Sequence, residues 1–126
     1  MTASRAVLVA VEDDPDFQIL IRIALREDPE LEITGEMPVD VDRAVELAGE
    51  VTPGLIILDH NLGGEMVGLG AAARLKEAAP DTKILLFTAY DVRNEALREP
   101  AIDAFVRKDR SEQLLPTARR LLGLDG

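Results

Sequence analysis

Three apolar runs in this chain stop abruptly at charged side chains. Ala6–Val11 is followed by Glu12-Asp13-Asp14, Leu55–Leu58 by Asp59, and Ala104-Phe105-Val106 by Arg107-Lys108-Asp109. If the runs are neighbouring parallel strands, their carboxyl ends bring Glu12, Asp13, Asp59 and Lys108 to one edge of a sheet. Three carboxylates sharing a crevice repel one another and push at least one pKa up; a hard dication removes that penalty. Mg2+ suits such a set, because it takes one or two carboxylates, several waters and phosphate oxygens; Mn2+ prefers the same ligands. Asp59 then acts as a nucleophile, its carboxylate oxygen attacking phosphorus to give an acyl phosphate. The metal and Lys108 offset the charge on the transferring group. Thr88, closing the apolar run that begins at Lys83, can donate its hydroxyl to the same oxygens. Asn61, two residues past Asp59, can present its backbone carbonyl to the metal.

The composition restricts what else the chain can be. Its 126 residues allow one domain with a real core and are too few for two ordinary ones. Apolar residues make up 47% and aromatics 3%, so that core must be aliphatic. A net charge of −10 argues against direct nucleic-acid binding, which needs clustered Lys and Arg. Cysteine is absent and His60 is the single histidine, so neither a disulfide framework nor a zinc site of the usual kind can form. His60 therefore reads as a loop residue near the acidic cluster. The N-terminal apolar run is too short for a signal peptide, and no run approaches a membrane span. A cytoplasmic location is expected, with residues 1–126 as a single domain and no output domain.

Strand-like runs alternate five times with helix-period segments. The unbroken apolar run Ala6–Val11 suits a strand buried on both faces. Asp14-Pro15 reads as an N-cap with proline at the first helical position, and not as a metal ligand. Phe17, Leu20, Ile21 and Ala24 then follow at i, i+3, i+4, i+7. Residues 31–34 form a weaker strand, Val41 to Ala48 a second helix, and Thr52-Pro53-Gly54 a break before the third strand, Leu55–Leu58. A third helix covers residues 67–79, with Pro80 as its stop, and a fourth strand runs over Lys83–Thr88. Residues 92–99 give a short fourth helix, and Ala104–Arg107 a fifth strand. Ser111 can cap a last helix whose stripe is Leu114, Leu115, Ala118, Leu121 and Leu122. Repeated strand–helix units imply right-handed crossovers onto a parallel sheet covered by helices on both faces, an α/β fold.

These residues resemble a known family. The segment Val7-Leu8-Val9-Ala10-Val11-Glu12-Asp13-Asp14-Pro15-Asp16 is similar to the opening of a bacterial two-component response regulator receiver domain. Leu55–Asp59, Leu85-Leu86-Phe87-Thr88-Ala89 and Ala104-Phe105-Val106-Arg107-Lys108 look like its later signature blocks. The resemblance implies a flavodoxin-like, doubly wound, five-stranded parallel sheet of order 2-1-3-4-5 with five helices. It makes Glu12 and Asp13 metal carboxylates, Asp59 the phospho-acceptor, Thr88 the switch hydroxyl, Phe105 the switch aromatic and Lys108 the phosphate-contacting lysine. It also implies a phosphoryl donor, either a sensor histidine kinase, a phosphotransfer domain or a small molecule such as acetyl phosphate. Such a protein is not an enzyme beyond catalysing its own aspartyl phosphorylation, and homodimers are among its expected partners. Its signal would pass through the surface of helix four, strand five and helix five.

Some readings stay open at the level of sequence. Ile19, Ile23 and Leu25 widen the apolar arc of helix one beyond the roughly 100° that a core-facing helix needs; this fits either a generously packed helix or a docking face for the phosphodonor. Gly63 stands where many receivers carry proline, and Pro100-Ala101-Ile102 replaces the usual glycine-containing approach to strand five. The rival functions are an aspartate-nucleophile phosphohydrolase, disfavoured by Asn61 where that family has a second Asp, and a non-phosphorylated receiver-like binding module. A flavin-binding protein of similar topology is disfavoured by the four acids in the loop after strand one, which would repel a flavin phosphate.

Overall fold

In the computed structural model, which describes residues 6–124 (the Glu65 side chain excepted), five runs form one parallel sheet. They are β1 (Ala6–Val11), β2 (Leu31–Ile33), β3 (Leu55–Leu58), β4 (Lys83–Thr88) and β5 (Ala104–Arg107). The order is β2-β1-β3-β4-β5, as the resemblance implied. Residues 1–5 and 125–126, counted in the single domain expected from sequence, lie outside the described residues.

Five helices cover the sheet: α1 (Pro15–Arg26), α2 (Val41–Val51), α3 (Gly68–Ala78), α4 (Arg93–Arg98) and α5 (Leu114–Leu121). The pleat divides each apolar strand between two cores. Val9, Val11, Ile56, Leu58, Ile84 and Leu86 face α2, α3 and α4, meeting Ala44, Leu47, Ala72, Leu75 and Ala96. Leu8, Ala10, Leu55, Ile57, Leu85 and Phe87 face α1 and α5, meeting Ile21, Leu25, Leu114 and Ala118. That two-sided burial is why β1, β3 and β4 carry no polar alternation. A one-residue slip would swap the two sets of side chains, so the register is held wherever both faces are packed.

The register sets up the carboxyl edge. Val11 pairs with Leu58, Leu58 with Leu86, and Thr88 with Arg107. Residues leaving β1, β3 and β5 therefore emerge along one edge, with the end of β4 between the last two. α1 begins as the sequence suggests: the Asp14 side chain accepts from the Asp16 N–H at 2.9 Å, and Pro15 takes the first turn. Leu25 is fully buried, whereas Ile19 and Ile23 are 57% and 54% exposed. The apolar arc of α1 thus divides into a core stripe and an outward pair.

Two details depart from expectation. Ser111 does not cap the last helix; it lies inside a 3-10 segment, Lys108–Gln113, and α5 starts at Leu114 without a side-chain cap. Pro116 accounts for the late start, because proline is accommodated only in a helix's first turn, where its missing N–H is not needed. The loop after β3, in which the sequence reading places no strand, contains an antiparallel ribbon pairing Asn61–Leu62 with Glu65–Met66. Gly63 and Gly64 turn it at φ 62° and 82°, values that favour glycine. Among the described residues no helix is long and apolar enough to cross a membrane.

Candidate functional site

Glu12 follows β1, Asp59 follows β3 and Lys108 follows β5, so three crossovers deliver them to one place. The Asp59 N–H donates to the Val11 carbonyl at 3.0 Å, extending the β1–β3 ladder and fixing Asp59 beside Glu12. The Lys108 ammonium sits between them, Nζ 3.1 Å from Asp59 Oδ2 and 2.8 Å from Glu12 Oε1. Lys108 is 7% exposed at its side chain, Asp59 5% and Glu12 1%. Lys108 does not pair with its neighbour Asp109, whose carboxylate goes to Arg107 instead.

Asp13 completes the acidic group. Each of Glu12, Asp13 and Asp59 places one carboxylate oxygen within 4.8 Å of the others. Backbone donors hold them: Asp14 N–H to Glu12 Oε2 (3.1 Å), Gly63 N–H to Asp13 Oδ2 (2.9 Å) and Asn61 N–H to Asp59 Oδ1 (3.2 Å). The ribbon after β3 thus supplies two of the three donors, and the Gly63-Gly64 turn brings one of them within reach. Above, Asn61 Nδ2 donates to the Tyr90 hydroxyl at 3.3 Å, and the fully buried Thr88 accepts from the Tyr90 N–H at 3.4 Å. Asp13, Asp59, Asn61, Thr88, Tyr90 and Lys108 line a cavity of about 330 Å3, with Glu12 buried behind it. A larger groove of about 710 Å3 lies between α2 and α3 and contains none of the predicted site residues.

The electrostatics leave room for a cation. Three carboxylates face a single ammonium. Burial pushes the Glu12 carboxyl up to about 7, the Asp59 charge adding to the rise and the Lys108 ammonium and Asp14 N–H opposing it. Glu12 Oε1 is buried, and its close partner is the Lys108 ammonium, 2.8 Å away. An oxygen-only donor set with excess negative charge fits a hard divalent ion such as Mg2+.

The remaining sequence candidates are placed as follows. Phe105 is half-buried against the α2–α3–α4 core, with the Arg93 guanidinium 5.3 Å from its ring centroid. His60 lies in the loop beside Asp59, as expected, and is buried there: it is 6% exposed, its Nδ1 has no hydrogen-bond partner among the described residues, and burial lowers its pKa. Sequence reasoning missed two residues that line the cavity. Phe17, read only as core, has its ring 4.0 Å from Lys108 Nζ, and Tyr90 closes the rim over Asn61. A scarcity of aromatics, with only three Phe and one Tyr in the chain, was the available signal.

Comparison with known proteins identifies the family and the fold. The family model described as the response regulator receiver domain matches residues 7–119. A LuxR-family two-component response regulator from Aurantimonas sp. SI85-9A1 superposes with a TM-score of 0.84 at 24% identity, over 95% of this chain and 86% of that one. The response regulator domain of Thermotoga maritima CheB gives 0.81 at 19% identity, over 97% and 99%. Thermotoga maritima response regulator TrrA, solved in complex with Mg(2+)-BeF, gives 0.78 at 26% identity, over 92% and 98%. A search of curated proteins finds no match.

Proposed function

The chain belongs to the response regulator receiver family, and we propose that it accepts a phosphoryl group on Asp59 and passes the signal on through its α4–β5–α5 surface. The observation that carries this reading is the Lys108 ammonium held between Glu12 and Asp59, with Asp13 beside them. An Asp59 oxygen attacks the donor's phosphorus; the new O–P bond forms as the donor's P–O or P–N bond breaks, and the leaving group departs with that electron pair. Lys108 donates to a phosphoryl oxygen, and the Thr88 hydroxyl to another. Glu12, Asp13, Asp59 and the Asn61 carbonyl would hold Mg2+ or Mn2+, which supplies charge neutralisation of the transferring group. The chain catalyses its own modification and turns over no substrate.

The donor is a sensor histidine kinase, a phosphotransfer domain or acetyl phosphate, acting in the cytoplasm; Ile19 and Ile23 offer the macromolecular donors an apolar landing on α1. The phosphoryl group adds roughly −1.5 to −2 charges. Thr88 moving toward it vacates space that the Phe105 ring can fill, which removes the ring from under Arg93 and reshapes the face of α4. Reversing a two-state population from rare to dominant takes about 5.5 kcal/mol of differential stabilisation. Acetyl phosphate and Mg2+ should give a base-labile mass gain of one phosphoryl group. The Asp59→Asn variant should show none. Steady release of phosphate from monoesters, with no adduct, would favour a phosphohydrolase instead.

A further inference from the structure

Lys108 is held by a third group that carries no charge. Phe17, in the first turn of α1, places its ring centroid 4.0 Å from Lys108 Nζ. The ring is fixed from behind: it meets the fully buried Phe87 of β4 edge-on, centroids 6.3 Å apart at 84°. It is fixed from below by the helix start, since the Asp14 cap and Pro15 set where the first turn of α1 begins. We infer that Phe17 is a positioning residue for phosphoryl transfer, holding the Lys108 ammonium over the Asp59 carboxylate through its aromatic face; this rests on the proposed phospho-acceptor role of Asp59.

The argument is one of donor count and geometry. An ammonium has three N–H donors and no acceptor. Glu12 and Asp59 occupy two directions, and a third must stay available for an incoming phosphoryl oxygen. A polar neighbour where the ring stands would compete for that donor. The face of a phenyl ring attracts the cation through its quadrupole while offering no lone pair, and it keeps water off that side. With a 7% exposed lysine the attraction is at the desolvated, stronger end of its range. Leucine in place of Phe17 would fill most of the volume and supply none of the attraction. Tyrosine would keep the ring.

The test follows Asp59 phosphorylation by acetyl phosphate with Mg2+, using intact-mass time courses of the wild type, Phe17→Leu and Phe17→Tyr. Phe17→Leu should react about ten-fold more slowly, about 1.4 kcal/mol of barrier, and Phe17→Tyr within about two-fold of wild type. In parallel, the Lys108 ε-methylene protons of the unmodified wild type should resonate upfield from the ring current, a shift lost in Phe17→Leu and kept in Phe17→Tyr. Equal rates for wild type and Phe17→Leu overturn the inference. Equal slowing of both variants also overturns it, because that is a packing defect. If Phe17→Leu does not fold, an unshifted ε-methylene in the wild type is decisive against it. A wild type that takes up no phosphoryl group removes the proposed function but leaves the resonance measurement standing.

Discussion

Lys108 Nζ lies 2.8 Å from Glu12 Oε1 and 3.1 Å from Asp59 Oδ2, joining residues that are 96 and 49 positions apart in sequence. The ion pair does two jobs at once: it screens two buried acids from each other and it pre-positions a cation for phosphate. Removing it should therefore be felt in both stability and chemistry. Lys108→Ala leaves two carboxylates facing each other in a nearly dry site, which should cost the metal-free chain about 1–3 kcal/mol. Phosphoryl uptake should fall about 10²–10³-fold, as for loss of one electrostatic donor to a transferring group. Urea unfolding and an acetyl phosphate time course read the two effects separately. A variant that unfolds with the wild type would mean the lysine is solvated rather than buried.

Glu12 gives a pH signature with a definite sign. Its carboxyl, ordinarily near 4.5, is pushed up to about 7 in the fold, first by burial and then by the Asp59 charge. Between those values the folded chain holds a proton that the unfolded chain has lost. Stability from this group is thus fully present below 4.5 and is lost as pH rises through 7, by about 3 kcal/mol in all. His60 acts oppositely in the same range: burial lowers its pKa, so its contribution is lost as pH falls below 6.5. Comparing the wild type with Glu12→Gln cancels His60. The Gln variant should gain on the wild type as pH rises from 4.5 to 8, and Mg2+ should narrow the gap by stabilising the wild type, with its full set of carboxylates, more than the variant. A gap that stays constant across that range would mean that Glu12 titrates normally.

The acids and the lysine were legible in the sequence because each directly follows an unbroken apolar strand, and strand direction alone sends such residues to one edge. The hydrogen bonds that orient them were not. Gly63 N–H reaches Asp13 only because two consecutive glycines reverse the chain at positive φ. The Gly-Gly pair was a usable hairpin signal, but strands of two residues on each side carry no periodicity to support it. Ser111 misled for a related reason: it has the right type for a cap, while Pro116 downstream decides where regular helix can begin. Phe17 satisfied the helical period and so passed as core, and its contact with Lys108 spans most of the chain.

Gly68 lies outside the cavity, yet it should control the loop that carries Asp59. A Cβ at this position would stand 2.6 Å from His60 Cα and 3.1 Å from the Asp59 carbonyl oxygen, both backbone atoms that cannot rotate away. Gly68→Ala should destabilise the fold by about 1–3 kcal/mol and displace Asp59, slowing phosphoryl uptake. Gly70, two residues along the same helix, has nothing within 4 Å. Gly70→Ala should instead stabilise by about 0.5–1 kcal/mol through helix propensity and leave uptake unchanged. Thermal unfolding of the pair distinguishes them; matching shifts would contradict the contact at His60.

Thr52 marks strain at the opposite end of the sheet. It closes α2 with φ 45° and ψ 62°, its N–H donating to the Ala48 carbonyl at 2.8 Å. That left-handed geometry suits a helix C-terminus but costs a residue with a Cβ about 1–2 kcal/mol, and a β-branched one most of all. Thr52→Gly removes the clash and adds some unfolded-state entropy, for a net gain of about 0.5–1 kcal/mol. The exposed hydrogen bond from Thr52 Oγ1 to the Val51 carbonyl is replaced by water at little cost. Because Thr52 precedes the amino end of β3 and Asp59 follows its carboxyl end, melting should rise by about 2–4 °C while phosphoryl uptake stays at the wild-type rate. A lower melting temperature for the glycine variant would mean that the flanking Val51 and Pro53 hold Thr52 in this geometry without strain.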